Sequence, residues 1–321
     1  MKYIRKLPPP QSFIDWYNAN NDYLQATCST GEEIWLRLDR TVKKGLNDEL
    51  LREQGHICAY CGTRIGKKEL LITGMSEEEL LTFCVEHFLR KGDENYKRFT
   101  LEYSNLLGCC KISQQEGKLQ TIPFPIEGQP HLKTLSDIAD YFNVTIEHLK
   151  KNSRILRKID GNDDLDAINN RKPEGHKIVI SYKDNIHHCD DTKFNRTEDI
   201  VNPTTEEDCE RYFRYTQRVN RKNEPICEIY GRNIRDNRVN KTIEILNLNA
   251  NNLCKDRVTA YEAGIKFADD LMLILESNED MSDEDFKSHI RGTLEDIYAK
   301  TEGKLDPFCF VTASVVWNSF L

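Results

Sequence analysis

Several short stretches of the chain carry residue types that bind metals or move protons. In chain order they contain Cys58 and Cys61, Glu86 and His87, Asn105, Cys109 and Cys110, and finally Cys189, Asp190 and Lys193. Thiolates are typical ligands of zinc, whereas carboxylates bind hard cations such as Mg²⁺ or Mn²⁺. A base that activates water and a cation that stabilises developing charge are what hydrolysis of a phosphodiester requires. The residue types therefore suit metal-dependent hydrolysis next to a structural zinc.

The first cysteine pair has the spacing of a zinc knuckle. In Cys58-Ala-Tyr-Cys61 the turn allows two thiolates to point at one metal, and Gly62 permits the tight backbone that follows. A redox site uses the same spacing, but it normally lies at the start of a helix that follows a strand. Here a predicted helix precedes the pair, so the position favours zinc.

The remaining thiols would complete the site from distant parts of the chain. Either Cys109 or Cys110 would form a second knuckle with Cys189, and the segment between them would be an insert. The two ends of that insert must then lie close together. Four thiolates already make a closed tetrahedral site, so we interpret His187 and His188 as neighbours of the zinc and not as ligands.

Hydrophobic periodicity predicts the elements that position these residues. Residues 32–54 have helical spacing, and residues 81–88 form a strand with Glu86 and His87 at its end. Further predictions are a helix near 75–81 capped by Ser76, a linker at 121–130, a hairpin from 210–216 and 225–231, helices at 253–275 and 284–301, and an apolar C-terminus that packs on the body or on a partner.

A segment between the cysteines resembles a LysM module. Residues 135–152 read Leu-x-x-Ile-Ala-x-x-Phe-x-Val-x-x-x-x-Leu-x-x-Asn, with a further leucine at position 132, and a Gly-x-x-Ile-x-Ile strand follows at 175–180. Such modules bind N-acetylglucosamine polymers outside cells. The alternative is a compact insert used for packing or for contact with another protein.

Composition limits the function classes. Hydrophobic residues make up 38% of the 321 residues, enough for a packed core. No run of about 18 apolar residues occurs and the N-terminus lacks the apolar stretch of a signal peptide, so we expect a cytoplasmic protein without membrane contact. The eleven cysteines are then thiols or metal ligands and not disulfides. The net charge of -8 argues against tight autonomous binding of nucleic acid.

Taken together, the pattern resembles the HNH nucleases of the Septu and retron-associated anti-phage systems, the PtuB type. The stretches that carry the resemblance are Leu51-Arg-Glu-Gln-Gly-His-Ile-Cys-Ala-Tyr-Cys-Gly, Val85-Glu86-His87-Phe88, Tyr103-Ser-Asn105-Leu-Leu, Cys189-Asp190-Asp-Thr-Lys193, the Asn202-Pro203 pair and Leu246-Asn-Leu-Asn. The resemblance covers the chain apart from the LysM-like segment, which is a departure from the family.

The resemblance implies a role for each site residue. His87 would be the general base, Asn105 would orient it by a hydrogen bond, and Glu86 would bind the catalytic Mg²⁺ or Mn²⁺. Asp190 replaces the final asparagine of the usual Cys-Asn-x-x-Lys pattern and would be the second ligand of that metal, while Lys193 either touches phosphate or is a solvated surface lysine. The structural zinc would be held by the four thiolates of Cys58, Cys61, Cys110 and Cys189, since Asn-x4-Cys is the usual spacing.

The predicted fold class is α+β: a zinc-stapled HNH (ββα-metal) nuclease core with a helical surround and an inserted LysM-like βααβ module. The core would comprise residues 1–120 plus 183–205, the insert 128–182, and a C-terminal hairpin and helical region 206–321. The resemblance further implies a defence endonuclease that cuts DNA or tRNA beside a PtuA-like ABC-type ATPase. The alternatives are a catalytically inactive, zinc-stapled interaction protein and a LysM-type glycan-binding protein.

Overall fold

A computed structural model describes residues 1–66, 82–111, 120–142, 146–151, 156–173, 177–182, 188–193, 199–220, 223–278 and 280–320. The chain is a mixed α+β protein, as predicted, in which helices surround small sheets. Each sheet in these ranges consists of two antiparallel strands. The helix predicted near 75–81 lies outside the described residues.

The helices are α1 (Gln11–Thr27), α2 (Gly31–Arg37), α3 (Arg40–Gln54), α4 (Leu135–Phe142), α5 (Ile146–Lys151), α6 (Leu165–Asn170), α7 (Asp190–Lys193), α8 (Asn237–Ile245), α9 (Asn251–Asp256), α10 (Val258–Ser277), α11 (Asp283–Ile297) and α12 (Cys309–Phe320). The strands are β1 (Phe83–His87), β2 (Leu106–Cys110), β3 (Gln120–Pro123), β4 (Val179–Tyr182), β5 (Phe213–Val219) and β6 (Pro225–Gly231).

The N-terminal helices pack on one side of the β1–β2 sheet. The single helix predicted at 32–54 is two helices, because the chain is extended at Leu38 and Asp39. The Asp39 carboxylate then caps α3 by accepting hydrogen bonds from the next backbone amides, which fixes the start of that helix. Buried residues of α1, α2 and α3 form one cluster with Leu106 at the start of β2.

Strands β1 and β2 form the sheet that carries the candidate site. The strand predicted at 81–88 is confirmed as β1, and its register places His87 opposite Leu106 and Cys84 opposite Cys109. The two positions are three residues apart along each strand, which corresponds to about 10 Å. The Glu-His pair and the cysteine pair therefore lie at opposite ends of one short ladder.

The inserted segment has a hydrophobic core of its own. Strand β3 pairs with β4, with Gln120 opposite Tyr182, so the ends of the insert lie close together as predicted. Along the chain, helices α4, α5 and α6 come between these two strands. They contribute to a buried cluster that is separate from the other two. The linker prediction for 121–130 is wrong at its start, because Thr121, Ile122 and Pro123 belong to β3.

The C-terminal region shares a core with the Cys-x-x-Cys knuckle. The predicted hairpin is confirmed as β5 and β6, and Ser282 caps α11 through its hydroxyl as predicted. Helix α12 is buried from Cys309 to Val316 and packs on the body of the protein. One continuous hydrophobic cluster joins α12, the β5–β6 hairpin and the residues around Cys58.

No helix in the described ranges is both long enough and apolar enough to cross a membrane.

Candidate metal centre and active site

The Cys-x-x-Cys knuckle is held by backbone bonds on both sides. The amide of Cys58 donates to the Thr63 carbonyl at 2.9 Å, and the amide of Gly62 donates to the Cys58 carbonyl at 3.2 Å. Gly62 has a φ of 82°, and a Cβ at this position would lie 2.5 Å from the Phe310 ring. The prediction that this turn needs glycine is confirmed both by the backbone angle and by the packing of α12.

Gln54 joins the knuckle to β2. Its buried side chain donates to the carbonyls of Ile57 at 3.0 Å and Gly108 at 2.8 Å, and it accepts from the Gly108 amide at 2.6 Å. The amide of Ala59 also donates to the Gly108 carbonyl, at 3.1 Å. Sequence reasoning missed Gln54, since a glutamine at the end of a helix normally faces solvent.

Six metal-binding groups meet at the end of the β1–β2 ladder. Their ligand atoms form two overlapping sets in which all atoms lie within 4.8 Å of one another, and every residue is buried. The first set contains Cys58, Cys109, Cys110 and Cys189, and the second contains Cys61, Cys110, His188 and Cys189. The residues can therefore hold a metal ion, and their mostly thiolate chemistry suits zinc.

The four predicted zinc ligands all belong to this cluster, but Cys58 and Cys61 fall in different sets. Cys109, the alternative to Cys110 as a zinc ligand, also lies in the cluster, with its Sγ 3.8 Å from that of Cys58. His188 belongs to the second set, and its Nδ1 lies 3.1 Å from Cys189 Sγ, so its interpretation as a neighbour and not a ligand stays a prediction. The adjacent His187 lies outside the described residues.

The thiols of the cluster differ in how easily they ionise. Burial raises the pKa of every one, but hydrogen bonds from neighbouring thiols outweigh burial at Cys58 and Cys61. They hold the pKa of Cys58 well below its usual value and lower that of Cys61 to about 6. Burial keeps the pKa of Cys109 and Cys189 raised. The two thiols of the knuckle therefore ionise more readily than Cys109 and Cys189.

Glu86 is buried and forms an ion pair with Lys193. The Lys193 ammonium contacts a carboxylate oxygen of Glu86 and donates to the His87 carbonyl at 2.9 Å. The Tyr60 hydroxyl also lies 3.4 Å from the Glu86 carboxylate and donates to it. Lys193 is 2% exposed, so its interpretation as a solvated surface lysine is wrong.

His87 is buried on the opposite face of β1. Its Nε2 lies 3.1 Å from the Thr100 carbonyl, and its ring packs edge-on against Trp35 with the centroids 4.7 Å apart. A carbonyl only accepts, so Nε2 carries the proton and Nδ1 carries the lone pair. Burial, followed by the charge of Lys91, lowers the pKa of His87 to about 3, and the imidazole is neutral at physiological pH.

Asn105 does not have the hydrogen bond that was predicted for it. Its side chain donates to the carbonyls of Leu89 and Phe99, each at 3.0 Å, and accepts from the Leu89 amide at 2.6 Å. These bonds fix the loop that follows β1. The orienting contact on His87 comes instead from Thr100, a backbone carbonyl that no residue type in the sequence could have indicated.

Asp190 begins α7, directly after Cys189. Cys189 has a φ of 58°, and its carbonyl accepts from the Lys193 amide at 3.1 Å. This turn brings the cysteine to the metal cluster and Lys193 to Glu86. The side chain of Asp190 lies outside the described part, so its role as a metal ligand stays a prediction.

No protein-family model matches the chain, and no curated protein matches it either.

Proposed function

We propose that this protein is a metal-dependent endonuclease of the HNH type that hydrolyses phosphodiester bonds of DNA or tRNA. The observation that carries the proposal is the unit formed by β1, β2 and α7. Within it Glu86 and His87 are adjacent on one strand, and α7 brings Lys193 onto Glu86 beside a buried thiol cluster. A strand pair and a helix held by a metal are the parts that such a site requires.

Each side chain has a distinct task in the proposed reaction. His87 Nδ1, which carries the lone pair, would take the proton of the attacking water. Glu86 and Asp190 would hold a Mg²⁺ or Mn²⁺ ion, which stabilises charge on the phosphate and on the leaving oxygen. The carboxylate of Glu86 suits a hard cation, and its present counter-ion is the Lys193 ammonium. The thiol cluster would hold zinc and keep the unit folded.

The candidate site is closed to solvent in this structure. His87 is 3% exposed and Glu86 is 5% exposed, so neither side chain can contact a polymeric substrate in this conformation. Trp35 covers the His87 ring, and Lys193 neutralises Glu86. We therefore include in the proposal an activating partner, an ABC-type ATPase of the PtuA kind acting in the cytoplasm, that opens the site. The net charge of -8 is consistent with a nuclease that depends on a partner to hold its substrate.

A second candidate is a zinc-stapled interaction protein without catalytic activity. The observation that favours it is the same burial: Glu86, Lys193 and His87 are all satisfied by partners within the protein. A purely structural network of polar groups in a core has this property.

Cleavage assays on plasmid, single-stranded DNA and total tRNA distinguish the two candidates. Each substrate is incubated with Mg²⁺ or Mn²⁺ and with wild type or His87→Ala, in the presence and absence of the ATPase. Cutting by wild type that His87→Ala abolishes would support the nuclease. No cutting in any combination, with zinc still bound, would favour the interaction protein.

A further inference from the structure

The thiol cluster contains more ligands than one zinc ion uses. A structural zinc ion takes four ligands in a tetrahedron, whereas five thiols and one imidazole meet here. The two sets of mutually close ligand atoms share Cys110 and Cys189. Each set then has two members of its own: Cys58 and Cys109 in one, and Cys61 and His188 in the other.

Several distances within each set match the edges of a tetrahedron around its own metal. Zinc–sulfur bonds of about 2.3 Å imply sulfur atoms about 3.8 Å apart, and a zinc–nitrogen bond of about 2.05 Å implies about 3.6 Å between nitrogen and sulfur. In the first set, Cys58 Sγ lies 3.8 Å from Cys109 Sγ and 3.9 Å from Cys189 Sγ. These two of the six edges have the length expected for a zinc–thiolate tetrahedron, and the other four are no longer than 4.8 Å.

Two distances in the second set also match the expected edge lengths. Cys61 Sγ lies 3.7 Å from Cys110 Sγ, and His188 Nδ1 lies 3.6 Å from Cys110 Sγ. The edge from His188 Nδ1 to Cys189 Sγ is shorter, at 3.1 Å. A small rotation of the imidazole is enough to lengthen it by about half an ångström toward the value expected from the bond lengths.

We propose that the cluster is a binuclear zinc centre in which the thiolates of Cys110 and Cys189 bridge two zinc ions. Cys58 and Cys109 complete the ligands of one ion, and Cys61 and His188 complete those of the other. Each ion has four ligands, and all six groups of the cluster are used.

The surroundings of His188 support its role as a ligand through Nδ1. With Nδ1 on a metal, Nε2 must carry a proton and needs an acceptor. The side-chain amide of Asn252 lies 3.4 Å from Nε2, and its Oδ1 is a buried atom without a hydrogen-bond partner among the described residues. Half a turn of that amide brings Oδ1 to face Nε2, and both groups are then satisfied.

The charge of such a centre also matches its surroundings. Two Zn²⁺ ions, five thiolates and a neutral imidazole sum to a charge of -1. The guanidinium of Arg257 is 1% exposed, and its Nε and Nη1 have no hydrogen-bond partner in the described part of the chain. Its charge acts on His188. The guanidinium also lies over the Tyr215 ring, 5.8 Å from its centroid, and the Asp256 carboxylate interacts with both Arg257 and His188. An anionic metal centre nearby would further offset the cost of burying this cation.

Metal stoichiometry on the full chain tests the proposal. The protein is stripped, reloaded with zinc and passed through a chelating column that removes surface metal, and zinc per chain is then measured by mass spectrometry. Two zinc ions per chain are expected. One ion or none would overturn the proposal. The readout is independent of nuclease activity, so it stands or falls separately from the proposed function.

Cadmium NMR tests the bridging thiolates directly. The ¹¹³Cd-loaded protein should give two signals that are coupled to each other through the shared sulfur atoms, and two uncoupled signals would refute the bridges. His188→Ala should reduce the zinc content from two ions to one, whereas Cys84→Ser should keep both. Cys84 is the matched control because it lies opposite Cys109 in the β1–β2 ladder and belongs to neither set. Two coupled signals in His188→Ala would remove His188 from the centre.

Discussion

The buried ion pair between Glu86 and Lys193 makes a quantitative prediction about stability. The side chains of Lys193 and Glu86 are 3% and 7% exposed, so neither charge has access to water that could replace its partner. Lys193→Met keeps much of the side-chain volume but leaves a carboxylate buried without its counter-ion. Breaking a buried pair in this way costs about 3–5 kcal/mol.

That cost converts into a measurable change in Tm. An unfolding entropy of about 2.1 cal/mol/K per residue gives about 0.7 kcal/mol/K for 321 residues that unfold together. A loss of about 4 kcal/mol then lowers Tm by about 6 °C. The measurement is calorimetry of the zinc-loaded protein without added Mg²⁺ or Mn²⁺, so that no other cation competes for Glu86.

The matched control is the same substitution at an exposed pair. Lys241 Nζ lies 2.6 Å from an oxygen of Asp199, and the two side chains are 41% and 45% exposed. Lys241→Met should cost less than about 1 kcal/mol because water and salt screen exposed pairs. The Tm of this variant should therefore fall by less than about 1.5 °C.

A double variant separates the loss of the ion pair from the loss of packing. Glu86→Gln in the Lys193→Met background removes the stranded charge and should restore much of the lost Tm. Two outcomes would refute a stabilising role of the buried ion pair. Either Lys193→Met lowers Tm no more than Lys241→Met does, or the Tm of the double variant is no higher than that of Lys193→Met alone.

Three further predictions concern other parts of the site. Gly62→Ala should lower the free energy of unfolding by about 1–3 kcal/mol or more in denaturant titrations, because a φ of 82° is strained for alanine and the Phe310 ring must move. Unchanged stability would contradict the close packing at this position. Gln54→Ala removes both the acceptor of the Gly108 amide and the donor to the Ile57 and Gly108 carbonyls, and it should cost about 1–3 kcal/mol in the same assay. Gln54→Glu restores only the acceptor and should not recover the lost stability, because a carboxylate cannot donate to the two carbonyls. Burial raises the pKa of Cys227 from 9.0 to about 12 in the folded protein, so the stability that the protonated thiol contributes is present below about pH 9 and is lost as the pH rises toward 12. The free energy of unfolding of Cys227→Ala should therefore fall less steeply than that of wild type over this pH range. An equally steep fall in both proteins would contradict this account.

Local sequence signals were sufficient for most individual elements. Apolar alternation located β1, and the Ser282 hydroxyl followed by acidic residues located the start of α11. Both signals act over a few residues, and distant parts of the chain do not change them. β3 was missed because Pro123 and Pro125 suggest a break, whereas its partner β4 lies far along the chain.

The residues of the candidate site could be named from sequence, but not their partners. The Cys-x-x-Cys spacing identified the knuckle, since two ligands on one turn are a local property. The bond between His87 and the Thr100 carbonyl depends on tertiary packing, as does the burial of Lys193. His188 was set aside because four thiols seemed sufficient, and only the fold brings its Nδ1 to the cluster.

The short helix α7 connects the two halves of the site. Cys189, immediately before the helix, belongs to the cluster that could hold a metal ion, and Lys193, one helical turn later, is the counter-ion of Glu86. The Lys193 amide donates to the Cys189 carbonyl at 3.1 Å, so the backbone of this turn fixes one residue relative to the other. A metal ion bound by Cys189 would therefore also hold Lys193 over Glu86. Any movement of α7 would have to break a buried ion pair, and the cost of about 3–5 kcal/mol favours the arrangement in which Glu86 is covered.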